Sequence, residues 1–236
     1  MKIAVVGTGA VGQVMSKRLS ELGHRVFMGT RNVEQSRKRK ESDAWGTPGI
    51  GSWIEDHPNI DLVTFKEAAE KGEDLLIFGI SGMAALDALD QIGKDLLRDK
   101  IMIDISNPLD FSKGFPPSLS LCNTESLGEK IQNSYPDLKV VKTLNSISSP
   151  IMANPKLIEG DHVVFLCGND LNAKAKVSTL LQSLGWKQDN IIDLGDITNA
   201  RGTEMLLPLW IRLMGKYQSP MFNINVVKAP VLSPGA

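Results

Sequence analysis

At 236 residues the chain is longer than one average domain and shorter than two full ones, which predicts a single α/β domain with a modest C-terminal addition. Lys and Arg number 26 against 27 Asp and Glu, and the net charge of -1 lacks the basic excess that nucleic acid or an anionic membrane selects. The two cysteines, Cys122 and Cys167, lie far apart without C-x-x-C spacing, which argues against a disulfide framework and a zinc site and fits a reducing cytosol.

The chain opens on a short Val- and Ile-rich run, Lys2–Val6, that leads straight into Gly7-Thr8-Gly9-Ala10-Val11-Gly12 and then into helical apolar spacing over Val11–Leu22. Strand, G-x-G-x-x-G and helix in that order form the phosphate cradle of a dinucleotide-binding fold. Gly7 answers the tight turn, Gly9 the approach of backbone to pyrophosphate, and Gly12 the packing of helix on strand. Free backbone N–H groups at the helix start hold the anion. The opening apolar stretch is too short for a signal peptide.

The second strand, Arg25–Met28, carries no acid at its end, where a ribose-binding carboxylate is expected; Gly29-Thr30-Arg31-Asn32 follow instead. A guanidinium there grips a 2'-phosphate that a carboxylate would repel, so NADP(H) is expected over NAD(H), with Thr30, Arg31 and Asn32 discriminating. The basic run Arg37–Lys40 reads equally as a phosphate contact and as a solvated helix face. Glu41–Ile60 is expected to be an irregular insertion whose Trp45 and Trp53 pack it onto the domain near the adenine end.

Strands and helices then alternate as in a Rossmann-type, doubly wound parallel sheet. Strands are expected at Leu75–Ile80, Ile101–Ile105, Val140–Leu144, His162–Cys167 and Ile191–Leu194, and helices at Phe65–Lys71, Met83–Leu97, Ser126–Ser134 and Leu171–Leu184. Residues 1–170 are read as the NADP-binding domain and 171–236 as an extension completing the sheet and an acceptor pocket. Three strand ends carry small or amide residues, Gly79-Ile80-Ser81-Gly82, Ser106-Asn107-Pro108 and Leu144-Asn145-Ser146. Ile80, Ser81, Asn107 and Asn145 are therefore candidates for the ribose and nicotinamide end, although Asn before Pro is also a plain turn signal.

Past Asp193, Thr198 or Asn199 is expected to cap a helix that continues through the apolar Met205–Ile211, kinked at Pro208. Such a helix lies in the core, lines a pocket or forms a dimer seam. A homodimer through Leu206–Leu213 and the tail is the expectation, and Met221–Val227 alternates as a segment would that adds an edge strand or pairs with another subunit. The longest apolar run, Met205–Met214, reaches half of the roughly 20 residues a membrane span needs, so a cytoplasmic protein without membrane contact is expected.

Neither G-x-S-x-G, nor H-E-x-x-H, nor a Cys/His cluster is present, and Tyr135 and Lys139 have Y-x-x-x-K spacing only across Pro136. A dinucleotide site without an evident acid or base suits hydride transfer to a flavin-like ring, which takes its proton from water.

The opening glycine motif, Gly29-Thr30-Arg31, Val141-Lys142-Thr143-Leu144-Asn145-Ser146 and the block Leu194–Glu204 with its apolar continuation together resemble the coenzyme F420-dependent NADP oxidoreductase family over nearly the whole chain. Among its members the resemblance is to the bacterial branch with a Trp-containing insertion, and more distantly to the reductase domain of the six-transmembrane metalloreductases. It implies hydride exchange between NADP(H) and a small-molecule acceptor, coenzyme F420 or FMN/FAD. It also implies that Gly7–Gly12 form the phosphate loop, that Thr30 and Arg31 hold the 2'-phosphate, and that Asn145–Ser149 and Thr198–Glu204 flank the second ring. Two alternatives stand beside it: a reductase of a small imine or carbonyl substrate, and a non-catalytic NADPH-sensing module.

Overall fold

The structure, a computed structural model, describes residues 1–229. In chain order the elements begin β1 (Lys2–Val6), α1 (Ala10–Glu21), β2 (Arg25–Thr30), α2 (Val33–Lys38), α3 (Ile50–Glu55), β3 (Ile60–Thr64), α4 (Phe65–Lys71) and β4 (Leu75–Phe78). They continue with α5 (Ala85–Ile92), α6 (Lys94–Leu97), β5 (Ile101–Asp104), a two-stranded hairpin β6 (Leu109–Asp110) and β7 (Ser118–Leu119), α7 (Leu127–Ser134) and β8 (Lys139–Thr143). The last are α8 (Ser149–Ala153), β9 (Val164–Gly168), α9 (Leu171–Leu184), β10 (Ile191–Asp193), α10 (Ala200–Met205) and α11 (Leu207–Tyr217).

Eight strands form one sheet in the order β10-β9-β8-β5-β4-β1-β2-β3. Its strands are apolar nearly throughout because both faces are covered. In β1, Ile3 and Val5 enter one core with α1, α3, α8 and α9, while Ala4 and Val6 enter the other with α4, α5, α6 and α7. This is the doubly wound arrangement expected, with one departure: β9 pairs antiparallel with β8, Lys142 facing Cys167, so β9 and β10 run against the other six strands. The reversal brings the start of β9 to the carboxyl edge of its neighbours.

Local signals set most boundaries. Thr64 and Glu67 make a reciprocal capping box at α4, Asp170 caps α9 by accepting from Ala173 N, and Gly185, at φ 113°, ends it. The stretch expected as one helix over Met83–Leu97 is instead a 3-10 turn, α5 and α6, broken where Gly93 adopts φ 94°. The expected kink at Pro208 is a full break between α10 and α11, with proline in the first turn of the second helix, where its missing N–H is not needed. Asp196, rather than Thr198 or Asn199, is the capping side chain of that region, accepting from Thr198 N ahead of a 3-10 turn.

The Glu41–Ile60 insertion is not wholly irregular, since it contains α3 and its last residue begins β3. Trp53 is buried and stacks on His57 at 3.9 Å, as a packing role requires, but Trp45 is 77% exposed. The expected edge strand at Met221–Val227 is also absent: the segment is irregular and joined to the residue before β9 by Val163 N donating to Ile224 O, while Phe222 stacks on Trp210. On α11 only Leu207 and Ile211 are buried, and Leu209 stands 53% exposed, so this helix is not enclosed as its composition suggests. No helix of the described residues is long and apolar enough to cross a membrane, and none of their His, Cys, Asp and Glu side chains cluster in a way that could hold a metal ion.

Candidate functional site

The glycine turn between β1 and α1 sits at the carboxyl edge of the sheet, where parallel α/β folds bind ligands. Gly7 has φ 122°, a conformation that side chains avoid, and a Cβ there would lie 2.6 Å from Gly79 O. At Gly12 a Cβ would lie 2.0 Å from Gly7 O, so only glycine lets helix and turn touch. Gly9 differs: nothing lies within 4 Å of a Cβ built there. That open face adjoins the first turn of α1, whose leading N–H groups have no carbonyl within the helix.

A trough of about 320 Å³ follows the turn, lined by Thr8 and Gly9 together with Thr30, Arg31 and Arg39. Ile80 and Ser81 also line it, and none of its lining residues is a carboxylate. Gly7, Thr8, Gly9, Thr30, Arg31, Ile80 and Ser81, all expected on sequence grounds, thus share one cavity. Ala10 opens α1, and Val11 packs so close to β4 that a Cβ on Gly79 would lie 3.1 Å from it. Asn32 does not line the cavity; its side chain caps α2, accepting from Gln35 N at 2.9 Å.

Thr30 is 5% exposed and its hydroxyl meets Ser36 Oγ at 2.6 Å. Arg39 completes the chain, donating from Nη2 to Ser36 Oγ at 3.1 Å and to Thr8 Oγ1 at 3.0 Å. It is the member of the basic run Arg37–Lys40 that hydrogen-bonds the glycine turn, and with Lys38 and Lys40 it lines a second cavity of about 430 Å³ that Thr8, Gly9 and the insertion share. Gln13 holds the insertion there, donating to Thr8 O and Pro48 O. Farther out, Trp45 meets Phe115, between β6 and β7, with ring centroids 6.0 Å apart, so the segments that follow β2 and β5 touch each other.

Asn107 and Asn145 do not line the trough; they come together past Ser81, where a Cβ on Gly82 would lie 2.2 Å from Asn107 O. Asn107 Nδ2 donates to Asn145 O at 2.8 Å, and Asn145 Nδ2 donates to Asn107 Oδ1 at 2.9 Å and to Thr203 O at 3.1 Å. Behind them lies a charged group that sequence reasoning did not locate. Lys142 and Asp104 are 0% and Glu204 1% exposed, and the Lys142 ammonium lies 2.9 Å from a carboxylate oxygen of each. Burial opposes the charge on Lys142, but the two facing carboxylates outweigh it and hold its pKa above the ordinary lysine value. Asp104 Oδ1 accepts from Ser106 N and Oγ, and Glu204 accepts from Leu127 N and Gly128 N at the start of α7. The signal available in sequence was a lysine inside the apolar strand Val140–Leu144; its partners stand 38 and 62 positions away along the chain.

The remaining titratable candidates face elsewhere. Tyr135 is buried with its hydroxyl on Asp90 Oδ1 at 2.6 Å, and burial pushes its pKa up, so its spacing to Lys139 has no catalytic meaning. His162 Nε2 contacts Pro155 O and its Nδ1 contacts Asn223, just ahead of β9.

The model of the family described as NADP oxidoreductase, coenzyme F420-dependent, matches residues 2–108. The F420-dependent NADP reductase of Methanocaldococcus jannaschii is 28% identical over 98% of this chain and 100% of its own length. The rat metalloreductase STEAP3 is 27% identical over 89% of this chain, which spans only 38% of that protein. The crystal structure of a candidate F420-dependent NADP reductase from Arthrobacter sp. FB24 superposes with a TM-score of 0.90 at 46% identity, covering 97% of this chain and all of that one. With the glycine turn, the carboxylate-free trough and this likeness along nearly its whole length, the chain belongs to the coenzyme F420-dependent NADP oxidoreductases.

Proposed function

We propose that this oxidoreductase passes a hydride between NADPH and a deazaflavin or flavin acceptor. The observation that carries the cofactor half is a trough that joins the open face of Gly9 to two guanidinium groups, Arg31 and Arg39, with no lining carboxylate. A pyrophosphate fits the N–H groups of Ala10, Val11 and Gly12, and a 2'-phosphate fits between the guanidinium groups. Asn32 stays in the proposed site as the residue that starts α2 and so places Ser36 and Arg39. NADPH, when bound, supplies the hydride; the chain orients it, with Ile80, Ser81, Asn107 and Asn145 at the nicotinamide end.

For the acceptor, the support is the state of the ionisable groups near that end. Lys142, Asp104 and Glu204 are enclosed and bonded to one another, so none offers a proton to a reacting alkoxide or amine. A deazaflavin or flavin ring needs no such donor, because water can supply its proton. We further propose that residues 171–236 complete the acceptor pocket beside a cofactor domain of residues 1–170. The protein is proposed to work in the cytoplasm as a homodimer through Leu206–Leu213 and the tail, on the support of the exposed Leu209.

Stopped-flow absorbance at the NADPH band tests the reaction: NADPH is expected to be oxidised to NADP+ on adding oxidised deazaflavin, FMN or FAD, which takes up the hydride. No oxidation with any of the three refutes it in favour of a small imine or carbonyl reductase or a sensing module. For assembly, light scattering is expected to give twice the chain mass, and Leu209→Glu half of that; a wild-type monomer refutes the dimer.

A further inference from the structure

The contacts around Lys142 form a closed circuit. Lys142 Nζ donates to Ser106 O as well as to Asp104 and Glu204, so all three ammonium protons are engaged. Ser106 precedes Asn107, Asn107 exchanges two hydrogen bonds with Asn145, Asn145 donates to Thr203 O, and Thr203 precedes Glu204, which returns to Lys142. Between Lys142 and Asn145 the chain turns through Leu144 at φ 63°, a left-handed conformation that a leucine occupies only when its surroundings impose it. Three charges removed from water carry a desolvation cost that well-packed apolar side chains would avoid, so overall stability does not account for their presence. Their location does suggest an account. The circuit joins the carboxyl ends of β5 and β8 to α10.

We propose that Lys142, with Asp104 and Glu204, is a positioning group that fixes the Asn107–Asn145 pair and thereby the nicotinamide half of the cofactor site. The inference rests on reading the trough as the NADP(H) site. None of the three charged side chains needs to touch the cofactor. The circuit holds the two amides and the left-handed turn at Leu144 in one arrangement, and loosening any member lets the amide pair shift.

The test compares NADP+ with 2',5'-ADP, which shares the phosphorylated adenosine half and lacks nicotinamide. Glu204→Gln keeps the size and an acceptor for α7 but removes one charge from Lys142. It is expected to weaken NADP+ about threefold to tenfold by calorimetry while 2',5'-ADP binds as to wild type. Asn107→Ala is expected to do the same, and the double variant to lose no more than the worse single one, since both act through one circuit. Ser106→Ala, which removes the hydroxyl from Asp104 without changing charge, carries the same comparison if Glu204→Gln does not fold. Equal weakening of both ligands by Glu204→Gln, no weakening, or multiplied effects in the double variant would overturn the proposal. Wild-type protein that takes up neither ligand would overturn the cofactor reading itself, and this inference with it.

Discussion

Gly9 and Gly12 belong to the same motif, yet alanine at each should fail for a different reason. At Gly12 the new methyl carbon would stand 2.0 Å from Gly7 O, whereas ordinary contact starts near 3.4 Å, so α1 and the turn must part by about 1.4 Å. The obstacle is backbone on both sides and no rotamer relieves it. Overpacking of that kind costs about 3 kcal/mol, which for a chain of this size lowers Tm by about 6–12 °C. At Gly9 the backbone already lies at φ -80° and ψ -169°, an extended conformation open to alanine, with nothing within 4 Å of the methyl. Stability should therefore hold or rise by up to about 1 kcal/mol, as alanine restricts the unfolded chain. The methyl would instead occupy the space that the proposed function assigns to pyrophosphate at the helix start. Losing even one charge-assisted bond there, about 1.5–3 kcal/mol, weakens NADPH at least tenfold. Thermal melting followed by circular dichroism, paired with calorimetric titration, separates the two effects. Wild-type NADPH affinity in Gly9→Ala would refute the assignment of that face to phosphate, and an unchanged Tm in Gly12→Ala would refute the contact.

Arg39→Ala should weaken NADPH by about tenfold to a hundredfold, from about 1.5–3 kcal/mol for a charged contact, and leave NADH nearly unaffected. Arg31→Ala should shift the same ratio in the same direction; for either residue, equal losses for both coenzymes in a fluorescence titration would remove it from phosphate recognition. In the native protein one thiol should react with Ellman's reagent. Cys122 is exposed, while burial pushes the Cys167 thiol up to about 12; a second fast thiol before denaturation would contradict that burial. The bidentate Arg201 guanidinium holds the Glu129 carboxyl below its usual value near 4.5, so its contribution to stability is present above that pH and is lost as pH falls through the lower folded value. The stability gap between wild type and Glu129→Gln in urea titrations should therefore be full at neutral pH and shrink below about 4.5; a gap independent of pH would show that the pair does not link α10 to α7 energetically.

Elements with local causes were legible in the chain. Lys2–Val6 into G-x-G-x-x-G, the helix over Phe65–Lys71 and the helix over Leu171–Leu184 lie where spacing and caps put them, because strand period, capping side chains and terminal glycines act within a few residues. β3 was missed although Ile60 and Leu62 alternate correctly, since the adjoining turn-rich insertion obscured five residues of strand. The antiparallel entry of β9 has no local signature: the connection from β8 contains a helix, as a parallel crossover would, and the direction is settled by which edge the returning strand meets. In the site, the glycine motif and the missing acid after β2 were readable in sequence. Choosing Arg39 from a run of four basic residues needed the position of Ser36 and Thr8, and the enclosure of Lys142 depended on Asp104 and Glu204 arriving from distant elements.

The meeting of Trp45 with Phe115 has a kinetic corollary. One ring is carried from the β2 side and the other from the β5 side, with β1 and β4 between them in the sheet, so the pair forms an arch across the carboxyl edge. On the proposed cofactor reading, a dinucleotide lying along that edge would have to slide lengthwise or wait for the span to part. An aromatic pair of this kind is worth about 0.5–1.5 kcal/mol, so the span parts readily and slows coenzyme exchange by roughly twofold to tenfold rather than preventing it. Two bulky rings left largely in water are thus compatible with a toll on departure that leaves the tightness of the phosphate grip unchanged.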